Sequence, residues 1–288
     1  MRFALTVVLW LATTVALAVA VPAVWAQLNI VGEDGYAALA QKAAGDPALQ
    51  SAAATELTTR AMALIAVHGG GKYSVDSSQV HDTATAFTAS PSFPPLFANA
   101  NRAAHRWLFS GARPGDSWVV DVAPMLNDSS FQQILSAYNV KVPATLTVPL
   151  TVSVPAGGQS GQSVRQGQLS RLAAWGPWVS IVAVAVSGFC GLLTVAAARR
   201  RGKAMTSLGV SALLVGAAGW AGIEVGRRYI DDALNRTSGD IRQIADVMVH
   251  HAEASLHQWL NVTLIAGVVL VGFGVIVAML GSVRRPSS

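Results

Sequence analysis

Cysteine is nearly absent from this 288-residue chain. The single Cys190 excludes a disulfide-stapled fold. Charge is also scarce, at 12% Asp, Glu, Lys and Arg, against about 25% in soluble domains. An ordinary cytosolic enzyme is therefore a poor description. No G-X-Y period is present, which excludes a collagen-like chain, and with 52% hydrophobic residues there is too much apolar material for general disorder. What is abundant is uninterrupted apolar sequence, and the class that fits is a membrane protein with a modest water-exposed portion.

Crossing about 30 Å of hydrocarbon takes about 20 helical residues. Four runs qualify: Phe3 to Ala26, Trp178 to Ala198, Ala204 to Val225 and Leu260 to Val283. An Asp, Lys or Arg at a helix centre costs about 2.5–3.5 kcal/mol on insertion scales. None occupies the middle of any run, and Glu224 lies at an end. Short cytoplasmic loops accumulate Lys and Arg. With four alternating spans, Arg2, Arg199, Arg200, Arg201, Lys203, Arg284 and Arg285 fall on one side with no acidic residue. The other side keeps 13 of the 20 basic residues and all 15 acidic ones. Both termini are thus expected in the cytoplasm of a multi-pass plasma-membrane protein, with the main domain extracytoplasmic. The positive excess flanks the membrane, where anionic headgroups are its natural partner, so nucleic acid is set aside.

The first run also has features of a secretory signal, with Arg2 before it and Val24-Trp25-Ala26 before Gln27. Its length exceeds the 7–15 residues of a signal core and Trp25 suits an interfacial anchor, so an uncleaved anchor is preferred to cleavage after Ala26.

The expected fold class is mainly α: four transmembrane helices, a small, mostly helical extracytoplasmic domain with minor strand content, and an extracytoplasmic helical hairpin. The expected division is a signal-anchor helix at 1–26, an extracytoplasmic domain at 27–155 and a Gly/Ser/Gln-rich tether at 156–177. Transmembrane helices follow at 178–198 and 204–225 around a cytoplasmic basic loop at 199–203. The hairpin occupies 226–259, the fourth transmembrane helix 260–283 and a cytoplasmic tail 284–288. In the domain, Asp46-Pro47 caps a helix that starts near Lys42 or Pro47 and stops at Gly69-Gly70-Gly71. Lys72 to Ser92 shows no sustained period and reads as a long loop. From Leu96 to Phe109 a helix is predicted with Leu96, Ala100, Ala103, Ala104, Trp107 and Leu108 on its apolar face, closed by Gly111. Trp118 to Val122 is strand-like, Pro124 to Tyr138 helical, and Val140 to Val154 extended but limited by Pro143, Pro149 and Pro155. In the hairpin, Ser238-Gly239-Asp240 marks a stop and a new start. The stripe Ile241, Ile244, Ala245, Met248, Ala252, Leu256 and Trp259 needs a cover, for which the larger domain is the nearest candidate.

The succession of one span, Val31-Gly-Glu-Asp-Gly-Tyr36, Gly45-Asp-Pro-Ala-Leu-Gln50, Phe97 to Arg106 (FANANRAAHR), Trp118-Val-Val-Asp-Val-Ala-Pro124 and Val142-Pro-Ala-Thr-Leu146 before the later spans resembles uncharacterised multi-pass integral membrane proteins of actinobacteria, including mycobacteria. The resemblance covers nearly the whole chain and implies an architecture and a cell-envelope setting. It implies no activity and no functional residues. The polar segment around Ser74 to Ser92 and the Gly/Gln tether depart from the pattern.

Chemical motifs are weak. Gly69-Gly-Gly-Lys72 misses the phosphate loop, because Ala66 stands where the first Gly belongs and Tyr73 follows Lys72. Gly158-Gln-Ser-Gly161 misses the nucleophile elbow by one position. The histidines His68, His81, His105, His250, His251 and His257 all fall outside the four apolar runs. Asp246, His250, Glu253 and His257 project within about 60° of one another on a helix, opposite the apolar stripe. Metal binding or a pH response is one reading of that set. A solvated polar face is the preferred one, since Asp246 and His257 would be about 16 Å apart along the axis. Asn101 and His105, with Arg102 and Arg106, form either a polar contact site or simply the wet side of a helix. Small residues recur every fourth position at Ala183, Ser187, Gly191 and at Ala218, Gly222, Gly226, a spacing that packs helices within a bundle or between copies. Cys190 lies inside a span and is neither a disulfide partner nor a nucleophile.

Three function classes follow. The first expectation is a non-enzymatic envelope protein acting as a scaffold or interaction partner through its extracytoplasmic domain. Its partners would be the lipid bilayer, other envelope or membrane proteins and a second copy of itself, with no cofactor, metal or catalytic residue. A sensor or ligand-binding protein, metal or pH responsive, is the second, and requires a pocket in the domain or the His-bearing hairpin. An envelope hydrolase with a Ser beside His81 or His105 is the third.

Overall fold

A computed structural model describes residues 2–68, 76–109, 119–137, 140–149, 169–198, 201–235 and 239–283. The glycine motif at 69–72, the elbow-like 158–161 and the tether residues 156–168 lie outside these. So do Gly111, Trp118, Tyr138, Ser238, Arg199, Arg200 and the tail from Arg284. The chain divides into two compact units, one of residues 1–28, 174–228 and 253–288, the other of residues 29–173 and 229–252.

The first unit is built from long apolar helices. Helix α1 (Arg2–Ala26) runs on into a π-helical turn, Gln27–Val31. Helices α8 (Ser170–Ala197), α9 (Arg201–Leu234) and α10 (Gly239–Val283) complete the set, and all four are long and apolar enough to cross a membrane. This is the architecture of a multi-pass membrane protein. Helix α8 begins at Ser170, so the segment 170–177, expected as tether, is helical, and Pro177 is accommodated inside the helix. Likewise α9 begins at Arg201, inside the stretch expected as a loop.

The packing of these helices rests on glycine. Gly202, Gly209 and Gly216 recur every seventh residue on α9, and Gly267 and Gly274 do the same on α10. A Cβ on Gly209 would lie 2.7 Å from the Gly267 carbonyl oxygen, and one on Gly202 would lie 2.7 Å from that of Gly274. Only hydrogen fits, so the two helices meet backbone to backbone, running antiparallel as Gly202 faces Ala278 and Gly219 faces Leu260. The stripe at Ala183, Ser187 and Gly191 packs on α1: Ser180 Oγ donates to the Ala23 carbonyl at 3.2 Å, and Gly191 faces Thr13. The other small-residue stripe does not pack in this way. A Cβ on Gly222 or Gly226 would meet nothing within 4 Å, because the close-packing face of α9 is the heptad one. Helix α1 lies parallel to α9, with Trp10 Nε1 donating to the Ser207 carbonyl at 2.9 Å and the Thr14 and Ser211 hydroxyls 2.8 Å apart. The directions alternate along the chain as four successive spans require. Trp25 (to Ser255, 3.2 Å) and Trp220 (to Asn261, 3.3 Å) mark one end of this bundle, which Trp178 and Trp259 share.

The second unit is a helical domain with a small sheet. It contains α2 (Glu33–Ala43), α3 (Pro47–His68), α4 (Ser77–Thr88), α5 (Phe93–Phe109), β1 (Val119–Asp121), α6 (Ala123–Leu126), α7 (Ser129–Ala137) and β2 (Thr147–Pro149). The long loop expected over 72–92 is instead largely α4. Asp76 caps it by accepting from the Ser78 amide at 2.9 Å, and Val80, Ala84 and Phe87 are buried on one face. Three apolar residues among Ser and Thr suffice when the tertiary surface receives them. Helix α5 starts three residues earlier than predicted, using Pro94 and Pro95 in its first turn, where missing amides cost little. Its buried face is therefore Phe93, Phe97, Ala100 and Ala104. Ala103 is exposed, and Leu96, Trp107 and Leu108 are only partly covered. Strands β1 and β2 pair antiparallel, with Val120 opposite Val148. Asp121 Oδ1 secures both ends of the connection by accepting from the Ala123 and Leu146 amides at 3.0 and 2.9 Å. Phe87, Phe93, Leu126, Phe131 and Leu135 fill the core. Ile241, Ile244, Val247 and Met248 at the start of α10 pack against it, which supplies the cover that their stripe requires.

Gly209→Ala drives a methyl into the opposing backbone and is expected to destabilise the bundle by about 1–3 kcal/mol. Gly222→Ala, with open space around it, gains up to about 1 kcal/mol of helix propensity. Unfolding of the two variants in mixed micelles measures the contrast, and equal effects would refute the assigned seam.

Candidate functional site: an apolar cleft in the helical domain

Four segments distant in sequence enclose a cleft of about 110 Å³ in the second unit. Helix α3 contributes Ala53, Glu56 and Leu57, and α5 contributes Phe93, Phe97 and Asn101. Val122 and Met125 come from the β1–α6 junction, and Ile241 and Ile244 from the first turns of α10. The i,i+4 spacing in α3 and α5 and the i,i+3 spacing in α10 turn one face of each helix toward the void. The walls are almost wholly apolar. Asn101 is committed, since its amide donates to the Phe97 carbonyl at 2.9 Å and its Oδ1 accepts from the Tyr36 hydroxyl at 3.5 Å. Among the described residues Glu56 is the charged group in the lining, and Arg60 engages its Oε1 at 2.7 Å. Asp240, which precedes Ile241, is near enough to Glu56 for their charges to interact.

The polar set singled out on α10 does not converge. Asp246 and His250 are exposed. Glu253 pairs with Arg227 at 3.4 Å, and His257 stacks on Trp220 with ring centroids 3.9 Å apart. Among the described residues no three His, Cys, Asp or Glu side chains gather as a metal site requires. His251, beside that set, lies with Nε2 3.4 Å from Asp46 Oδ2, an ion-pair distance without hydrogen-bond alignment. Asp46 also caps α3, accepting from the Ala48 amide at 2.8 Å. That backbone bond and the nearby His251 hold its carboxyl below the usual aspartate range.

Asn101, Arg102, His105 and Arg106 join α5 to α2. Arg106 Nη2 meets Glu33 Oε1 at 2.6 Å and Arg102 Nη2 meets Asp34 Oδ1 at 3.0 Å. The Arg106 bond, foremost, pulls Glu33 below its ordinary pKa. His105 is buried, stacked on Phe109 at 4.2 Å and beside Tyr36, with Nε2 2.9 Å from the Ile30 carbonyl of the π turn. A carbonyl only accepts, so Nε2 carries the proton. Burial also raises the Tyr36 pKa. His81 Nδ1 lies 3.3 Å from Thr58 Oγ1, but that hydroxyl donates to the Ala54 carbonyl at 2.7 Å and is not aligned as a nucleophile. Cys190 is a half-buried free thiol on α8.

Sequence reasoning missed the cleft because its wall is spread over four segments and consists of residue types found in any core. No family model, curated protein or solved structure matches this chain.

Two outcomes follow for the domain. His105→Ala leaves the Ile30 carbonyl unsatisfied and should cost about 1–3 kcal/mol, whereas Arg106→Ala, which loses an exposed pair, changes thermal stability little. Asp46→Ala should cost about 1 kcal/mol near neutral pH through the lost cap. A carboxyl whose folded pKa is depressed stabilises above its unfolded value and loses that contribution as pH falls through the folded one. The gap between wild type and Asp46→Ala in chemical unfolding should therefore close below about pH 4.

Proposed function

We propose that this chain is a multi-pass integral membrane protein of the bacterial cell envelope. In this reading the helical domain faces outward and acts by binding a small ligand rather than by catalysis. The observation that carries the reading is the cleft, an apolar void with one acidic group at its edge, the composition that small-molecule sites share. Its wall includes Ile241 and Ile244, which lie on α10, the helix that also carries the fourth apolar run. Occupancy would thus be registered on a membrane helix, as a sensor requires.

The orientation is supported by charge and by aromatic residues. Lys203 stands at one end of the bundle, with Arg199, Arg200 and Arg201 close to it in sequence, and Trp25, Trp178, Trp220 and Trp259 stand at the other, as at a membrane–water boundary. Placing the basic end in the cytoplasm puts both termini there too. Contact with envelope proteins, or with a second copy, is a second reading. It is favoured by Ala218, Gly222 and Gly226, which are not used for packing within the bundle.

In a Cys190→Ser background, Ser130→Cys should react with an impermeant maleimide in intact cells and Ser288→Cys only after lysis; the reverse pattern overturns the orientation. A screen of small apolar compounds on the full chain should yield ligands that stabilise wild type by about 2.7 kcal/mol at 100-fold Kd and leave Ile244→Trp, with its cleft filled, unmoved. A screen in which every stabilising compound acts equally on both proteins would refute the ligand-binding reading.

A further inference from the structure

We infer that the cleft takes the apolar end of a small cationic amphiphile, one aromatic ring or a short branched alkyl group, with its ammonium directed at Glu56. This rests on the cleft being a ligand site and adds the class of ligand.

Size sets the first limit. An apolar void of about 150 Å³ accommodates benzene whole, so an open cleft of about 110 Å³ takes a short branched alkyl group or the greater part of one ring, the remainder projecting from its mouth, and excludes a long acyl chain. Phe93 and Phe97 line it with ring centroids 5.5 Å apart, an aromatic wall that suits an apolar ring or a branched alkyl group.

Charge sets the second. Among the described residues Glu56 is the ionisable group in the lining; Arg60 is paired with it and Asp240 is near enough for its charge to interact, and the three together carry one net negative charge. Both Arg60 contacts fall on Glu56 Oε1. Asn101 has its amide and its carbonyl oxygen already engaged, whereas the Arg60 contacts occupy Glu56 Oε1 alone, so Glu56 Oε2 is the acceptor assigned to a polar head without breaking the existing pair. A carboxylate ligand meets like charge there and an ammonium meets its complement. In partly desolvated surroundings that difference is worth about tenfold in affinity or more.

The test uses the full chain in nanodiscs of phosphatidylcholine, with benzylamine, benzyl alcohol and benzoate as probes, followed by saturation-transfer NMR. Signal from wild type in excess of that from Ile244→Trp reports the cleft alone, and Met125→Trp serves the same purpose if Ile244→Trp does not fold. The expected order is benzylamine, benzyl alcohol, benzoate, with about tenfold between first and last, and Glu56→Gln should abolish the preference. Benzoate binding as tightly as benzylamine, or a preference that survives Glu56→Gln, overturns the cationic class while the cleft remains a ligand site. No difference between wild type and either filled variant for any probe overturns both.

Discussion

Backbone-to-backbone contact between α9 and α10 is the constraint from which the rest of the bundle follows. Apolar side chains gain nothing by leaving lipid for one another, so association in a bilayer depends on close van der Waals fit. Glycine at every seventh position supplies it, because Gly202, Gly209 and Gly216 bring α9 against the carbonyls and side chains of α10 at separations no Cβ tolerates. The interhelical hydrogen bonds of Trp10 and of Thr14 with Ser211 are secondary on this scale, since such bonds average about 0.6 kcal/mol in membranes. They fix the rotation of α1. The glycine seam fixes which faces remain outside, and so leaves Gly222 and Gly226 facing open space.

The helical domain follows the opposite logic, that of water. Its core joins Phe87, Phe93 and Phe131 in edge-to-face contacts 5.8 and 5.5 Å between centroids, and each large side chain buried there gains about 1.5–3 kcal/mol. The start of α10 adds Ile241, Ile244, Val247 and Met248 to this core. Between α3, α5 and those isoleucines the fit is incomplete. Ala53, Phe93 and Phe97 line the cleft that remains there.

What is legible in the sequence divides along the same line. The four apolar helices can be read directly, because the cost of charge in hydrocarbon leaves long uninterrupted runs. So can the cap at Asp46-Pro47, the turn before Asp240 and the need to cover Ile241, Ile244 and Met248. Helix α4 is not legible, because Val80, Ala84 and Phe87 are too few to stand out until the surface that receives them exists. The face of α5 is easily misjudged because alanines at 100, 103 and 104 fit several rotations, and the deciding residues are Phe93 and Phe97, nearer the prolines. Four-residue spacing of small residues hides the glycine heptad. Spacing shows which residues share a face, but not which face another helix occupies.

The conspicuous polar residues illustrate why residue type alone is a weak guide to chemistry. His105, Asn101, Arg102 and Arg106 have the look of a contact site, yet each is used to bind α5 to α2 or to the π turn before it. Glu253 and His257 are committed to Arg227 and Trp220. A side chain already satisfied within the fold has little free energy left for a ligand, because binding must first break what it makes. By that criterion the informative place is the one where the fold leaves apolar atoms without neighbours. Such a void forfeits dispersion contacts on every wall. A ligand that fills it recovers them without disturbing any existing bond, which is why an ordinary set of core residues makes a better site than a conspicuous row of histidines.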